Sequence, residues 1–110
     1  MILIVGGSYQ GKTEYARQNF PNAKYFNNLH TFIKKRLEDL KSQDEILAEI
    51  KDVISEGQWI IISDEIGNGV VPYDAFDRQW REVTGRILIS LAREATEVHK
   101  VVCGIGQRIK

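Results

Sequence analysis

A glycine-rich segment near the start of the chain constrains the fold more than any other feature. Residues 6–13 read GGSYQGKT and fit the spacing G-x-x-x-x-G-K-[ST]. The apolar run at 2–5 predicts a buried strand just before this segment, and 12–20 predicts a helix after it. This order of strand, loop and helix is the context of a P-loop, which binds phosphate through backbone N–H groups and a helix N-terminus.

The positions of this P-loop have expected roles in binding a nucleotide. Glycines let the backbone N–H groups turn inward around phosphate oxygens. Lys12 is expected to reach the β- and γ-phosphates, and the Thr13 hydroxyl to ligate Mg²⁺. The predicted nucleotide-binding residues are Gly6, Gly7, Ser8, Tyr9, Gln10, Gly11, Lys12 and Thr13. In the alternative interpretation the glycines only end a strand and Lys12 is solvated, which leaves the matching strand and helix unexplained.

Length and charge restrict the class of protein and its partners. The chain of 110 residues is predicted to be one nucleotide-binding domain, residues 1–110. Its 15 basic and 15 acidic side chains cancel, so the sequence predicts no binding to nucleic acid or to an anionic membrane. The N-terminal apolar run is too short to span a membrane, and no basic segment precedes it. We therefore expect a cytoplasmic protein.

Predicted strands and helices alternate along the rest of the chain. The predicted strands lie at 2–5, 23–26, 59–63 and 98–104, and the predicted helices at 12–20, 29–40, 42–57 and 73–96. The strand at 59–63 is apolar throughout, as in a sheet covered on both faces. This pattern predicts an α/β protein with a three-layer P-loop NTPase fold, in which helices flank a mostly parallel sheet of about four strands. The last strand would bury the thiol of Cys103.

An acidic pair, Asp64 and Glu65, ends the apolar strand at 59–63. This is the place of a Walker B carboxylate, which holds Mg²⁺ directly or through water, while a second carboxylate orients or deprotonates the attacking group. Neighbouring strand residues point to opposite faces, and we favour Asp64 for the metal. The predicted catalytic residues are Lys12, Asp64 and Glu65, and the predicted metal ligands are Thr13 and Asp64. The alternative is that both acids are ordinary strand-end residues.

Three other features are weaker candidates for a function. The loop at 66–72, with two glycines and a proline, follows a strand where α/β proteins place ligands. His30 lies beyond the second strand and could approach a phosphate, although a histidine early in an amphipathic helix is usually a surface residue. His99 is predicted to be structural or exposed. Gly85 in the long helix costs about 1 kcal/mol relative to alanine, which predicts a close packing contact there.

The P-loop and the C-terminal half together resemble a known family, the bifunctional adenosylcobinamide kinase/adenosylcobinamide-phosphate guanylyltransferases. The segments that carry the resemblance are DEIGNGVVP at 64–72, WREVTGR at 80–86 and VVCGIG at 101–106. The corresponding family patterns are GGxxSGKS for the P-loop, NEVGxGxVP, FRDxxGRxNQ and a closing strand. The order and spacing agree from Asp64 to the end of the chain.

The resemblance implies a P-loop enzyme of cobamide nucleotide-loop assembly. Members of the family phosphorylate the aminopropanol hydroxyl of adenosylcobinamide with ATP or GTP, and then transfer GMP through a guanylylated histidine. The present chain is shorter, and its segment 29–57 supplies His30 without the Arg-Pro of the family pattern RIxxHxxxRP. Asp64, Tyr9 and the pair Leu88-Ile89 stand where the family has Asn, a basic residue and Asn-Gln. The resemblance therefore implies the kinase and does not carry the guanylate-acceptor role to His30.

Two functions follow from these patterns. The first is a Mg²⁺-dependent kinase that transfers the γ-phosphate of ATP or GTP to a cobinamide-like alcohol in cobalamin biosynthesis. The second is a regulatory or partner-binding P-loop module that hydrolyses NTP without a small-molecule acceptor. Leu88 and Ile89 would fit a partner or subunit contact, including a homo-oligomer. The sequence leaves the choice between ATP and GTP, and the acceptor, open.

Overall fold

A computed structural model describes residues 1–66 and 74–110 as an α/β chain. Its strands are β1 (Ile2–Gly6), β2 (Lys24–Phe26), β3 (Trp59–Asp64), β4 (Glu97–Val102) and β5 (Ile105–Arg108), and its helices are α1 (Lys12–Asn19), α2 (Leu29–Glu38), α3 (Gln43–Val53) and α4 (Ala75–Glu94). The α/β prediction is confirmed, and the predicted helices and strands lie close to the observed ones. The predicted ligand loop lies outside the described residues, except for Ile66.

The sheet has the strand order β2-β3-β1-β4-β5, which makes the strand before the P-loop its centre. β1 is parallel to both of its neighbours, β3 and β4, and β2 is parallel to β3. β5 is antiparallel to β4, so the sheet is mixed. The prediction of about four strands was wrong by this one strand.

The additional strand arises from a two-residue turn, Cys103 and Gly104, which we call the β4–β5 turn. Both residues have a left-handed backbone, with φ of 51° and 76°. Two consecutive residues with positive φ form the hairpin turn whose twist matches that of paired strands. Asn-Gly is the usual signal for such a turn, and Cys-Gly does not provide it. The turn leaves Cys103 exposed, so the predicted burial of its thiol was wrong.

Helices cover both faces of the sheet, which gives the three layers that the sequence predicts. Alternate residues of β1 point to different faces: Leu3 and Val5 pack in the cluster that includes α2, α3 and α4, whereas Ile4 packs in the cluster that includes Ala16 of α1. The side chains of β3 alternate in the same way, since Ile61 packs on the first face and Ile60 on the second. This period-2 division explains why the central strands are apolar throughout.

Local sequence signals fix the ends of two helices. Ser42 and Glu45 form the reciprocal capping box at the start of α3, and Asp74 caps α4 by accepting the N–H of Phe76. Gly85, in the middle of α4, was expected to make a close packing contact. That expectation was wrong, because within residues 1–66 and 74–110 no atom other than the neighbouring backbone of α4 lies within 4 Å of an added Cβ.

Candidate nucleotide-binding site

The P-loop connects β1 to α1 at the carboxyl edge of the parallel strands. Gly6 ends β1 opposite Asp64 of β3. A Cβ on Gly6 would lie 2.4 Å from the carbonyl oxygen of Val101, so only glycine fits this approach of two backbones. Gly11 has a left-handed φ of 86°, and a Cβ there would lie 3.3 Å from Cα of Gly104. The two glycines therefore allow the loop to turn tightly against β4 and the β4–β5 turn.

Lys12 is the charged centre of the site and is only 8% exposed. Its Nζ donates to the carbonyl oxygen of Gly7 at 2.6 Å and lies 2.7 Å from Oδ1 of Asp64. The Ser8 hydroxyl donates to the other carboxylate oxygen of Asp64 at 2.6 Å. The structure thus brings together three residues that the sequence predicts to be functional. A nearly buried ammonium needs such partners, because desolvation of an unpaired charge is costly.

The environment of Asp64 keeps its carboxyl group ionised. Burial acts to raise its pKa, but hydrogen bonds from Lys12 and Ser8, together with the nearby charges, outweigh burial and hold the pKa below its usual value. Asp64 is therefore a carboxylate at neutral pH. An ionised, partly buried carboxylate at this position has the charge that a cation ligand requires.

His30, at the start of α2, contacts the same aspartate through both sides of its ring. Its Nδ1 accepts the backbone N–H of Asp64 at 3.1 Å, and its Nε2 lies 3.3 Å from Oδ2 of Asp64. Burial is the largest effect on its pKa, and with the charge of Lys12 it outweighs Asp64 and lowers the pKa. A neutral ring that accepts at Nδ1 carries its proton on Nε2, facing the carboxylate. The expectation of a surface position was wrong, since the His30 side chain is 12% exposed.

Asn27 and Asn28, just after β2, belong to the site although the sequence analysis did not select them. The amide of Asn27 donates to Oγ1 of Thr13 at 3.2 Å. The signal that could have found them is their place after a strand that ends at the same edge of the sheet as the P-loop. A cavity of about 390 Å³ lies here. It is lined by Ser8, Tyr9, Gln10, Gly11, Lys12, Thr13, Glu14, Asn27, Asn28 and Asp64.

The predicted metal ligands, Thr13 and Asp64, carry side-chain oxygen atoms and line this cavity. Mg²⁺ prefers oxygen, keeps several waters and is commonly held by one or two carboxylates together with substrate phosphates. Within residues 1–66 and 74–110, no three His, Cys, Asp or Glu side chains converge as a metal cage. The chemistry of the residues present therefore fits Mg²⁺ bound together with a nucleotide, rather than a metal held by protein ligands alone.

The second acid of the pair, Glu65, has a different environment. Its backbone N–H donates to the carbonyl oxygen of Gly6 at 2.9 Å, and its carboxylate lies 3.8 Å from Nζ of Lys100. Asp64 is the acid that contacts Lys12, whereas its assignment as the metal ligand remains a prediction.

The remaining histidine, His99, is buried in β4. Its Nδ1 lies 2.8 Å from the hydroxyl of Tyr15, and its Nε2 lies 2.9 Å from Oε1 of Glu97. The sequence predicted that His99 is either structural or exposed, and these two contacts support a structural role.

Comparison with known proteins connects this site to a family. The model of a family described as CobU, cobinamide kinase / cobinamide phosphate guanyltransferase, matches residues 22–109. The chain belongs to this family. The family recognised from the sequence is thereby confirmed. The match begins after the P-loop, so the nucleotide-binding assignment depends on the P-loop residues themselves.

Two curated CobU proteins are similar to part of the chain. The bifunctional adenosylcobalamin biosynthesis protein CobU of Escherichia coli (strain K12) is 37% identical over 73 residues, which cover 62% of this chain and 40% of that protein. The protein of the same description from Salmonella typhimurium (strain LT2) is 41% identical over 51 residues, covering 46% of this chain and 28% of that protein. The chain therefore spans less than half the length of each relative that it matches.

The described helices were also compared with the length and hydropathy of membrane spans. No helix in residues 1–66 or 74–110 is both long and apolar enough to cross a membrane.

Proposed function

We propose that this chain is a P-loop kinase that transfers the γ-phosphate of ATP or GTP to the hydroxyl of a cobinamide-like alcohol in cobalamin biosynthesis. One observation carries the proposal. The P-loop side chains Lys12 and Ser8 meet Asp64, the acid at the end of the neighbouring strand. This combination of a P-loop and a strand-end carboxylate supports a P-loop NTPase fold and phosphoryl transfer, and the CobU family supplies the class of acceptor.

The proposed role of Lys12 is to neutralise charge on the β- and γ-phosphates. Its ammonium now contacts the Gly7 carbonyl oxygen and Asp64, so a nucleotide phosphate takes the place of these partners. The backbone N–H groups of the loop and of the first turn of α1 bind the remaining phosphate oxygens. Binding of this kind stabilises the charge of the transition state when the donors are already in position.

Thr13 and Asp64 are the residues that would hold Mg²⁺. A bound Mg²⁺ would supply positive charge that neutralises the charge developing on the phosphate oxygens. Asn27 donates to the Thr13 hydroxyl oxygen, which helps to fix this side chain and uses one of the two lone pairs of the oxygen. The lowered pKa of Asp64 supports this role, because a carboxylate that stays ionised is a better cation ligand than a proton acceptor.

Phosphoryl transfer also requires an acceptor for the proton of the attacking hydroxyl. The hydroxyl oxygen forms a bond to the γ-phosphorus, and the bond from that phosphorus to the β–γ bridging oxygen breaks. We assign the hydroxyl proton to Glu65, the second acid of the strand end, which is 27% exposed. We do not extend the proposal to guanylyl transfer through His30, because both of its ring nitrogens face Asp64.

A regulatory module that hydrolyses NTP is the second candidate function. Ile89 favours it, because this apolar side chain is 55% exposed on α4, where the family pattern has a polar residue. In this function a partner or a second copy of the chain would cover Ile89 and remove its apolar surface from water. The cytoplasmic location and the absence of nucleic-acid and membrane partners remain predictions.

The decisive experiment follows the label from γ-labelled and, separately, α-labelled ATP and GTP, with Mg²⁺ and with or without adenosylcobinamide. γ-Label on the corrinoid supports the kinase, and α-label on the protein or the corrinoid would restore guanylyl transfer. Release of free phosphate alone supports the regulatory module. Lys12→Ala should abolish each of these reactions. Lys35→Ala is the matched control, because Lys35 is on the exposed side of α2. It removes the same charge at a position away from the site and should leave every reaction in place.

A further inference from the structure

Gln10 of the P-loop joins the loop to the β4–β5 turn through both of its carbonyl groups. The N–H of Cys103 donates to the side-chain Oε1 of Gln10 at 2.7 Å. The N–H of Gly104 donates to the main-chain oxygen of Gln10 at 2.8 Å. The side-chain amide of Gln10 also donates to the carbonyl oxygen of Ser8 at 3.5 Å. Gln10 thus accepts hydrogen bonds from both N–H groups of the β4–β5 turn and donates one hydrogen bond within the P-loop.

The β4–β5 turn is itself held by the sheet and by α1. The strand before it, β4, pairs with β1 from Ile2 to Val5. The ring of Tyr15, in α1, covers Gly106 so closely that a Cβ there would lie 2.0 Å from a ring atom. The hydroxyl of Tyr15 also lies 2.8 Å from Nδ1 of His99 in β4. These contacts do not involve Gln10, so the turn is a fixed point to which the P-loop can be attached.

The P-loop needs an attachment of this kind because its backbone conformation is unusual. Tyr9 and Gly11, on either side of Gln10, have left-handed φ values of 59° and 86°. A left-handed conformation is unfavourable for a residue with a side chain, and it persists only where the surroundings determine it. The Tyr9 side chain is fully exposed and provides no packing that could hold the loop. The hydrogen bonds of Gln10 are therefore placed next to a strained residue, Tyr9.

We infer that Gln10 is a positioning residue for phosphate binding. It holds the P-loop against the β4–β5 turn, so that the loop N–H groups already face the cavity before a nucleotide arrives. A preformed loop binds with higher affinity, since less conformational freedom is lost on binding. This inference depends on the proposed nucleotide site. It adds that the β4–β5 turn, which lies on the opposite side of β1 from Asp64, helps to hold the P-loop in place.

The test compares Gln10→Met with Gln18→Met. Methionine has nearly the shape of glutamine without its amide, and Gln18 is an exposed residue of α1 whose amide contacts Glu14. The measurement is the Kd for non-hydrolysable analogues of ATP and GTP with Mg²⁺, together with the Tm of the nucleotide-free proteins. We expect Gln10→Met to raise Kd roughly five- to tenfold, the effect of losing about one hydrogen bond. Gln18→Met should leave Kd within about twofold of the wild-type value.

Amide exchange of Cys103 verifies that the contact is lost, because its N–H should exchange faster in Gln10→Met. Gln10→Ala, which also lacks the acceptor but occupies less space, provides a second variant in case Gln10→Met does not fold. A lower Tm with an unchanged Kd in the folded variants would refute the positioning role and leave a purely structural one. Absence of binding by the wild-type protein would refute the nucleotide site itself, and the inference with it.

Discussion

Replacing Gly6 by alanine tests how closely the P-loop approaches β4. The added Cβ would lie 2.4 Å from the Val101 carbonyl oxygen and 3.4 Å from Cδ of Lys12. The first of these contacts is with the backbone, so rotation of a side chain cannot relieve it, and β1 or β4 must move. Both strands are in the centre of the sheet, where each is paired on both sides. Overpacking of this type typically costs about 1–3 kcal/mol.

Gly85 provides the matched control, because the same substitution there should have the opposite sign. Among the described residues, no atom other than the neighbouring helix backbone lies within 4 Å of an added Cβ at Gly85, which is in the middle of α4. Alanine in place of a helical glycine stabilises a protein by about 0.5–1 kcal/mol. For a domain of this size, 1 kcal/mol changes Tm by roughly 4 °C. We therefore expect Gly6→Ala to lower Tm by roughly 4–12 °C and Gly85→Ala to raise it by roughly 2–4 °C.

Thermal unfolding of the nucleotide-free proteins, followed by far-ultraviolet circular dichroism, measures both shifts. Titration with ATP and GTP at a temperature well below both transitions then shows whether the displaced P-loop binds nucleotide more weakly. A Gly6→Ala protein with the Tm of the wild type would refute the argument from close packing. So would two shifts of the same sign and size, because the two sites differ in the space around the added methyl group.

Three further predictions concern the charged cluster. Lys12→Ala should raise the Kd for nucleotide roughly 10- to 100-fold by removing a charged donor, and calorimetric titration that gives the wild-type Kd would contradict the P-loop assignment. Asp64→Asn should remove the dependence of activity on Mg²⁺ concentration, and an unchanged dependence would move the metal role to Glu65 or to Thr13 alone. In the folded protein the pKa of His30 is lowered from the ordinary 6.5. The unfolded chain therefore binds a proton at this histidine more readily than the folded protein does. The free energy of unfolding should then decrease as the pH falls below 6.5. His30→Ala should flatten the change in urea midpoint between about pH 7.5 and about pH 5.5 while phosphoryl transfer persists, and an equally steep change in the variant would assign it to another group.

The parts of the structure that depend on local pattern could be predicted from the sequence. The P-loop spacing selected residues 6–13, and the acidic pair after an apolar run selected Asp64, which the structure places in contact with Lys12 and Ser8. Ser42 and Glu45 predicted the start of α3, because both halves of a capping box lie within four residues. The family was recognised from motifs in the C-terminal half, which the family match confirms.

The parts that the sequence did not reveal depend on contacts between distant segments. Nothing near His30 indicates that its ring accepts the N–H of Asp64, since the two residues meet only when α2 packs on β3. The β4–β5 turn was missed because its conformation is supported by Gln10, far away in the chain, rather than by an Asn-Gly pair. Gly85 was misread for a related reason, since the space around a helical glycine is set by its neighbours in the fold.

The central place of β1 in the sheet has a consequence for how the protein folds. β1 precedes both of its neighbours in the sequence, because β3 begins at Trp59 and β4 begins at Glu97. Because both neighbours come from later segments, β1 pairs only through long-range contacts and has no partner strand until β3 has been synthesised. Long-range pairing of this kind slows folding, and an exposed apolar strand favours association between nascent chains. The P-loop, which follows β1, therefore has its complete support only when β4 lies beside β1 and the β4–β5 turn reaches Gln10.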